Sequence, residues 1–102
     1  MEFSNIKISA DNKLTYGGGV ISAGDKVRHF KYEFLTDEGK LENQYIYSII
    51  GFGIHSETHE PCVIYESLYT GGIWIRPAAN FISEVDHDKY PNIKQKYRFE
   101  KI

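Results

Sequence analysis

The sequence has little cysteine, little proline and no long apolar run. Cys62 is the only cysteine among 102 residues, which excludes an internal disulfide. A single thiol fits a reducing compartment better than a small secreted domain, because such domains usually depend on disulfides. Residues 1–5 contain no basic segment followed by an apolar stretch, so we expect no secretory signal and a cytoplasmic location.

The sequence also lacks an excess of positive charge. Its 12 lysines and arginines are outnumbered by 14 aspartates and glutamates, and the formal net charge is -2. Proteins that bind nucleic acid by neutralising phosphates need the opposite balance, so we do not favour nucleic acid as a partner. No apolar run approaches the roughly 20 residues that cross a bilayer, so we expect no membrane partner.

Aromatic residues are abundant instead, at 15% of the chain, with eight tyrosines and six phenylalanines. The length is that of one domain. Residues 1–23 contain the run Gly17, Gly18 and Gly19 and are predicted to be an N-terminal extension, weakly structured or adding a strand. Residues 24–102 are predicted to form a single small domain.

Alternation of side-chain types from residue 26 onwards predicts short strands. They lie within residues 26–32, 45–50, 62–69, 73–76 and 94–102. The first two are predicted to pair as a hairpin, and Gly51 and Gly53 predict a bulge or a close approach of another backbone. A single helical turn is expected to follow Pro77. Five to six short strands indicate an all-β fold, a small antiparallel barrel or roll, with an open sandwich as the structural alternative.

The segment 73–76 suggests a recognition surface. In a strand, Ile73 and Ile75 point to one side and Trp74 and Arg76 to the other. If the isoleucines face the core, the indole and the guanidinium project together and can bind a planar group and an anion. The structural alternative is that Trp74 packs beneath the C-terminal segment while Arg76 pairs with a carboxylate such as Glu57.

A polar loop after residue 54 is the second candidate. Its residues are His55, Ser56, Glu57 and Thr58. They could line a pocket with Arg76, or they could form a hairpin loop held by its own hydrogen bonds. His55, Glu57 and His59 alternate as zinc ligands sometimes do, but no fourth ligand is implied. We therefore predict no metal and no cofactor.

No catalytic signature stands out. Cys62 begins a strand with apolar neighbours and is interpreted as a small buried residue. Ser56 adjoins His55, but adjacency in sequence does not create a catalytic triad. Lys94, Lys96 and Arg98 would share one side of the last strand, where positive charges protect a sheet edge. We predict no catalytic residue.

Several blocks of the sequence resemble one family of short bacterial domains, catalogued as domain of unknown function 1653. The blocks are Arg28, His29, Phe30 and Lys31; Gly51; His55, Ser56, Glu57, Thr58 and Glu60; Val63, Tyr65, Leu68 and Tyr69; and Trp74, Ile75, Arg76, Pro77 and Phe81. The resemblance covers roughly residues 24–85. It implies a small SH3-like barrel from a bacterium or bacteriophage, and it implies no established activity.

The chain departs from that family's pattern in three places. The connection over residues 34–44 is longer, and His59 and Asn80 stand where apolar residues are expected. Residues before Gly24 are not covered by the resemblance. Any ligand preference of the family is therefore open to change in this chain.

Three hypotheses about function remain. We expect a binding module that presents Tyr65, Trp74, Arg76 and residues 55–58 to a peptide, a nucleotide-like ring or another small polar ligand. The alternative is an enzyme or enzyme accessory, with His55 as general base, Glu57 as its orienting group and Arg76 as an anion clamp. The third is a structural or oligomer-forming phage or bacterial accessory protein. The expected assembly is a monomer or a small homo-oligomer.

Overall fold

Two antiparallel sheets form the protein, shown by a computed structural model that describes residues 5–102. The smaller sheet has the order β1 (Lys7–Ser9), β2 (Lys13–Tyr16) and β3 (Gly19–Ser22). The larger sheet contains β4 (Lys26–His29), β5 (Ile46–Ile54), β6 (Pro61–Ser67), β7 (Ile73–Pro77) and β8 (Phe99–Lys101). Its spatial order is β7-β6-β5-β4-β8. The predicted all-β class is confirmed, and because the larger sheet does not close on itself, the fold is a roll.

Three short helical segments connect the strands. They are a 3-10 helix (Phe30–Phe34), α1 (Asp37–Leu41) and α2 (Ala78–Phe81). Thr36 caps α1, because its hydroxyl accepts the backbone N–H of Gly39 at 3.3 Å. The longer connection over residues 34–44 therefore contains a helix, and the helical turn expected after Pro77 is confirmed. Within residues 5–102, every helix is too short to cross a bilayer.

The predicted hairpin and bulge are confirmed. Strand β4 pairs with β5, and Val27 lies opposite Tyr47. The predicted first strand is too long, because residues 30–32 belong to the 3-10 helix. The register between β5 and β6 shifts between Ile49 and Gly51, which is the bulge expected beside the glycines. Strand β6 begins at Pro61 rather than after it, because the first residue of a strand tolerates a missing N–H.

The core lies between the smaller sheet, α2 and one face of the larger sheet, here called the inner face. Leu14 and Ile21 come from the smaller sheet, and Val27 and Ile49 from the inner face. Although Leu14 is fully buried, the division of the chain at residue 24 stays a prediction. Residues 1–4 of the predicted extension lie outside the described residues.

The C-terminal segment forms a strand only at Phe99–Lys101. The prediction of a strand over 94–102 is wrong for residues 94–98, where only an isolated bridge joins Tyr97 to Glu84. The carboxylates of Glu33 and Glu100 accept the backbone N–H groups of residues 94–97, so a regular ladder does not form there. The Gln95 amide is buried and donates to the carbonyls of Arg28 and Tyr97, each at 2.9 Å. Arg98 is partly buried, and its Nε donates to the Ser83 hydroxyl at 3.2 Å. Lys94, Lys96 and Arg98 therefore do not form a charged side of one strand.

Candidate functional site

Strand β7 presents the opposite face from the one predicted. Ile73 and Ile75 are 57% and 69% exposed, so they do not form a core face. Trp74 lies opposite Tyr65 and Arg76 lies opposite Val63 on β6. Directly opposed residues share a face of a sheet, and both partners belong to the core, so Trp74 and Arg76 lie on the inner face. The indole and guanidinium do share a side, but it is the inner one.

Arg76 is held by the protein itself. Its Nε donates to the Tyr65 hydroxyl at 3.0 Å, and its Nη1 donates to Asn80 Oδ1 at 2.7 Å. The guanidinium also lies 5.2 Å from the centre of the Phe99 ring. The predicted alternative, a pair with Glu57, is not formed. Arg76 instead joins β7 to β6 and α2, and Asn80, unexpected from the family pattern, is its partner in α2.

Trp74 borders a small aromatic hollow at the end of β7. The indole is 54% exposed, so it does not pack beneath the C-terminal segment. The hollow has a volume of about 190 Å³. It is lined by Gln44, Tyr45, Tyr47, Ser67, Tyr69, Thr70 and Trp74, and we call it the tyrosine hollow. Tyr45 and Tyr47 are not among the predicted site residues, because only the strand register brings them close to Trp74.

The polar loop holds its own shape. His55 Nδ1 accepts the backbone N–H groups of Glu57 and Thr58, each at 3.2 Å. The Thr58 hydroxyl accepts the N–H of Glu60 at 3.3 Å. His59 adopts a left-handed backbone with φ 62°, which few non-glycine residues do. These bonds support the interpretation of residues 55–59 as a hydrogen-bonded hairpin loop. The side chain of Ser56 is exposed.

The structure does not bring the loop and Trp74 together. The loop follows Ile54, which pairs with Pro61, whereas Trp74 pairs with Tyr65. Four residues of strand separate those positions on β6, or roughly 13 Å. The His55 ring bonds within its loop, whereas Arg76 donates to Tyr65 and Asn80, so the two side chains have separate partners. Within residues 5–102, no group of three potential metal-binding side chains is found.

Cys62 has the properties of a structural residue. It is buried, and its sulfur lies 3.7 Å from the carbonyl of Glu60. Burial, with a smaller contribution from the Glu60 charge, raises the pKa of the Cys62 thiol. A raised pKa reduces the thiolate fraction at neutral pH, so Cys62 is a poor nucleophile.

His29 is neutral at physiological pH. The centre of its ring lies 4.4 Å from that of Phe30 and 4.9 Å from that of Phe99. Its Nδ1 accepts the backbone N–H of Lys31 at 3.1 Å. Burial, together with the nearby charges of Arg76 and Lys31, lowers the pKa of His29 from 6.5 to about 3. The motif residue His29 thus supports the core and the start of the 3-10 helix.

Within residues 5–102, the outer edge of β7 carries unpaired backbone groups. Ser67 N–H donates to the Gly72 carbonyl at 2.9 Å, which sets the alternation of bonded pairs along β6 and β7. In this register Trp74 and Arg76 direct their backbone groups towards β6, while Ile73 and Ile75 direct theirs outwards. Pro77, which lacks an N–H, also falls on the outward side. We define the β7 edge as Ile73, Trp74 and Ile75 with the adjoining tyrosine hollow.

The roll is thus an all-β domain with an exposed apolar edge at β7 and no assembled catalytic group among the described residues. The chain belongs to the family described as Protein of unknown function (DUF1653), whose model matches residues 25–101. This confirms the resemblance and extends it through β8. The smaller sheet precedes the matched region. Comparison with curated proteins and with solved structures gave no significant match.

Proposed function

We propose that the protein is a peptide-binding module that accepts an extended segment of a partner protein along the β7 edge. One observation carries this proposal. Ile73, Trp74 and Ile75 are consecutive, apolar and each more than half exposed, on a strand that pairs on only one side within the described part of the chain. An exposed apolar edge strand promotes aggregation and is normally suppressed in proteins, so its presence here favours a role in binding.

The backbone of the β7 edge suits a peptide. Ile73 and Ile75 offer N–H and C=O groups in the spacing of an antiparallel ladder. An added strand would bond to these groups and place alternate side chains on the two faces of the sheet. Side chains of the peptide on the outer face of the sheet would meet Ile73 and Ile75, and those on the inner face would meet Trp74.

The tyrosine hollow suits one side chain of such a peptide. Its volume of about 190 Å³ is below the roughly 300–1,000 Å³ of pockets that enclose a whole small ligand. The hollow contains no lysine or arginine to neutralise a phosphate, which favours a peptide over a nucleotide-like ligand. In this proposal Trp74 touches the peptide, Arg76 and Tyr65 hold β7 in position, and residues 55–58 lie beyond the contact.

A selection from a library of random displayed peptides tests the proposal. We expect enriched peptides to bind the wild type and to protect the amides of Ile73 and Ile75 from hydrogen exchange. Trp74 is the only tryptophan, so binding should also change its fluorescence. The variant Ile75→Lys should lose binding, because a lysine blocks strand addition. Ile102→Lys is the matched control, since Ile102 is exposed and follows β8 at the opposite edge of the larger sheet.

Two outcomes would overturn the proposal. One is that enriched peptides bind Ile75→Lys as well as they bind the wild type. The other is a concentration-dependent dimer of the wild type whose Ile73 and Ile75 amides are protected without peptide. That second result would mean that another copy of the chain occupies the edge, as the oligomer-forming hypothesis requires.

A further inference from the structure

A second concave surface lies where β4, the 3-10 helix, α1 and the C-terminal segment meet. Its volume is about 610 Å³. It is lined by Arg28, Tyr32, Glu33, Lys40, Lys94, Gln95 and Glu100, and we call it the basic hollow. We propose that the basic hollow binds a small organic molecule that carries a compact oxyanion, either phosphate or carboxylate.

Three cationic side chains converge on the basic hollow. The Arg28 guanidinium and the Lys40 ammonium lie 5.2 Å and 5.4 Å from the centre of the Tyr32 ring. This shared aromatic ring holds two positive charges in one region. Lys94 adds a third. Within residues 5–102, none of the three forms an ion pair.

Arg28 keeps donors available for a ligand. It is partly buried, and its Nε donates to Gln95 Oε1 at 3.3 Å. Gln95 is itself fixed, because its amide donates to the Arg28 and Tyr97 carbonyls. The guanidinium is therefore oriented by one bond, while its terminal nitrogens have no hydrogen-bond partner in the described part of the chain. A guanidinium fork held in this way matches the geometry of a carboxylate or phosphate.

The two carboxylates of the basic hollow are already engaged. Glu33 accepts the backbone N–H groups of Lys94 at 2.9 Å and Gln95 at 2.7 Å. Burial opposes ionisation of Glu33, but these bonds and the charges of Arg28 and Lys94 outweigh it and lower the Glu33 pKa. Glu100 Oε2 accepts a further two N–H groups, both at 3.1 Å. Backbone bonds thus hold both carboxylates, and three cations exceed two anions.

The size and shape of the basic hollow indicate a small ligand. Its volume falls within the roughly 300–1,000 Å³ typical of small-molecule sites. A concave wall concentrates the field of the charges that line it. The Tyr32 ring offers a flat apolar surface to the organic part of the ligand. The chain as a whole has a net charge of -2, so the positive charge of this hollow is local. A local positive charge does not favour a long polyanion as the ligand.

The test is a titration followed by nuclear magnetic resonance at constant ionic strength, with sodium pyrophosphate and sodium citrate as probes. We expect saturable shifts of the Arg28 Nε–H and of the Tyr32 and Lys40 amides. The double variant Lys40→Gln with Lys94→Gln should weaken binding by roughly tenfold or more, because it removes two charge-assisted contacts. The control is Lys7→Gln with Lys89→Gln, which makes the same change of charge outside the basic hollow.

The two probes separate the two sources of the oxyanion. Tighter binding of pyrophosphate supports a phosphate ligand, and tighter binding of citrate supports a carboxylate ligand. The proposal is overturned if neither probe gives saturable shifts up to about 10 mM, because binding would then be weaker than a millimolar Kd. It is also overturned if both double variants weaken binding equally. Ile75→Lys should leave the titration unchanged, so this site and the peptide-binding edge succeed or fail separately.

Discussion

The two edges of the larger sheet meet solvent in opposite ways. At β8, Phe99 is buried, the Glu100 carboxylate bonds to the backbone, and the Lys101 ammonium lies 3.2 Å from Asp25. At β7, Arg76 donates to Tyr65 on the inner face, whereas Ile73 and Ile75 are exposed to water. Charged residues and short length protect an edge from further strand pairing, and only β8 has both. The difference predicts that β8 contributes to stability, whereas β7 is the edge at which we propose that a partner strand binds.

The largest expected effect tests the role of β8 in stability. Phe99 is buried and stacks on Phe81 with ring centres 4.1 Å apart. Phe99→Ala should lower the free energy of unfolding by about 3–5 kcal/mol, through lost burial and a remaining cavity. Ile75→Ala, its counterpart at β7, should change it by less than about 1 kcal/mol. Equal losses in urea denaturation would remove the distinction between the two edges.

The pH dependence of stability also tests the role of β8, because His29 packs against Phe99 in that strand. Its folded pKa of about 3 lies below the unfolded value of 6.5, so the unfolded chain binds the proton more tightly. Stability is therefore retained above pH 6.5 and lost as the pH falls towards 3, by up to about 1.4 kcal/mol per pH unit. Denaturation across this range measures the slope.

Two variants identify the histidine responsible for that slope. His29→Phe keeps an aromatic ring in the core and should flatten the dependence on pH. His87→Gln, which changes an exposed histidine, should leave it intact. A slope that persists in His29→Phe would assign the acid sensitivity to other groups.

The smallest expected effect concerns the β7 edge. Ile73→Thr with Ile75→Thr keeps two β-branched residues, which suit a strand, and removes exposed apolar surface. Since neither isoleucine is buried, the free energy of unfolding should change by within about 1 kcal/mol, while binding of a hydrophobic dye falls. Dye fluorescence and urea denaturation measure the two effects. A large loss of stability would show that the isoleucines are packed in solution.

Local features of the sequence predicted much of the fold. Alternating residues predicted the strands around residues 45–50, 62–69 and 73–76, and the glycines predicted the bulge in β5. The helical turn after Pro77 also follows from a local rule. The C-terminal segment was harder, because Gln95 contributes a side chain that replaces a strand ladder, and its partner Arg28 is distant in sequence.

The candidate site could be predicted only in part. Alternation correctly placed Trp74 and Arg76 on one side of β7. It could not show that Asn80 and Tyr65 would hold Arg76, nor that Tyr45 and Tyr47 would adjoin Trp74. These contacts depend on how separate segments are aligned, and no local pattern encodes that alignment.

The sequence by itself determined the all-β class, the approximate strands and the family, because alternation, glycine and proline act over a few residues. Only the tertiary structure decided which side of β7 is buried. A strand has two faces, and moving its register by one residue exchanges them. Pairing with β6 buried the side of Arg76 and left Ile73 and Ile75 in water, although their hydrophobicity alone favours the reverse.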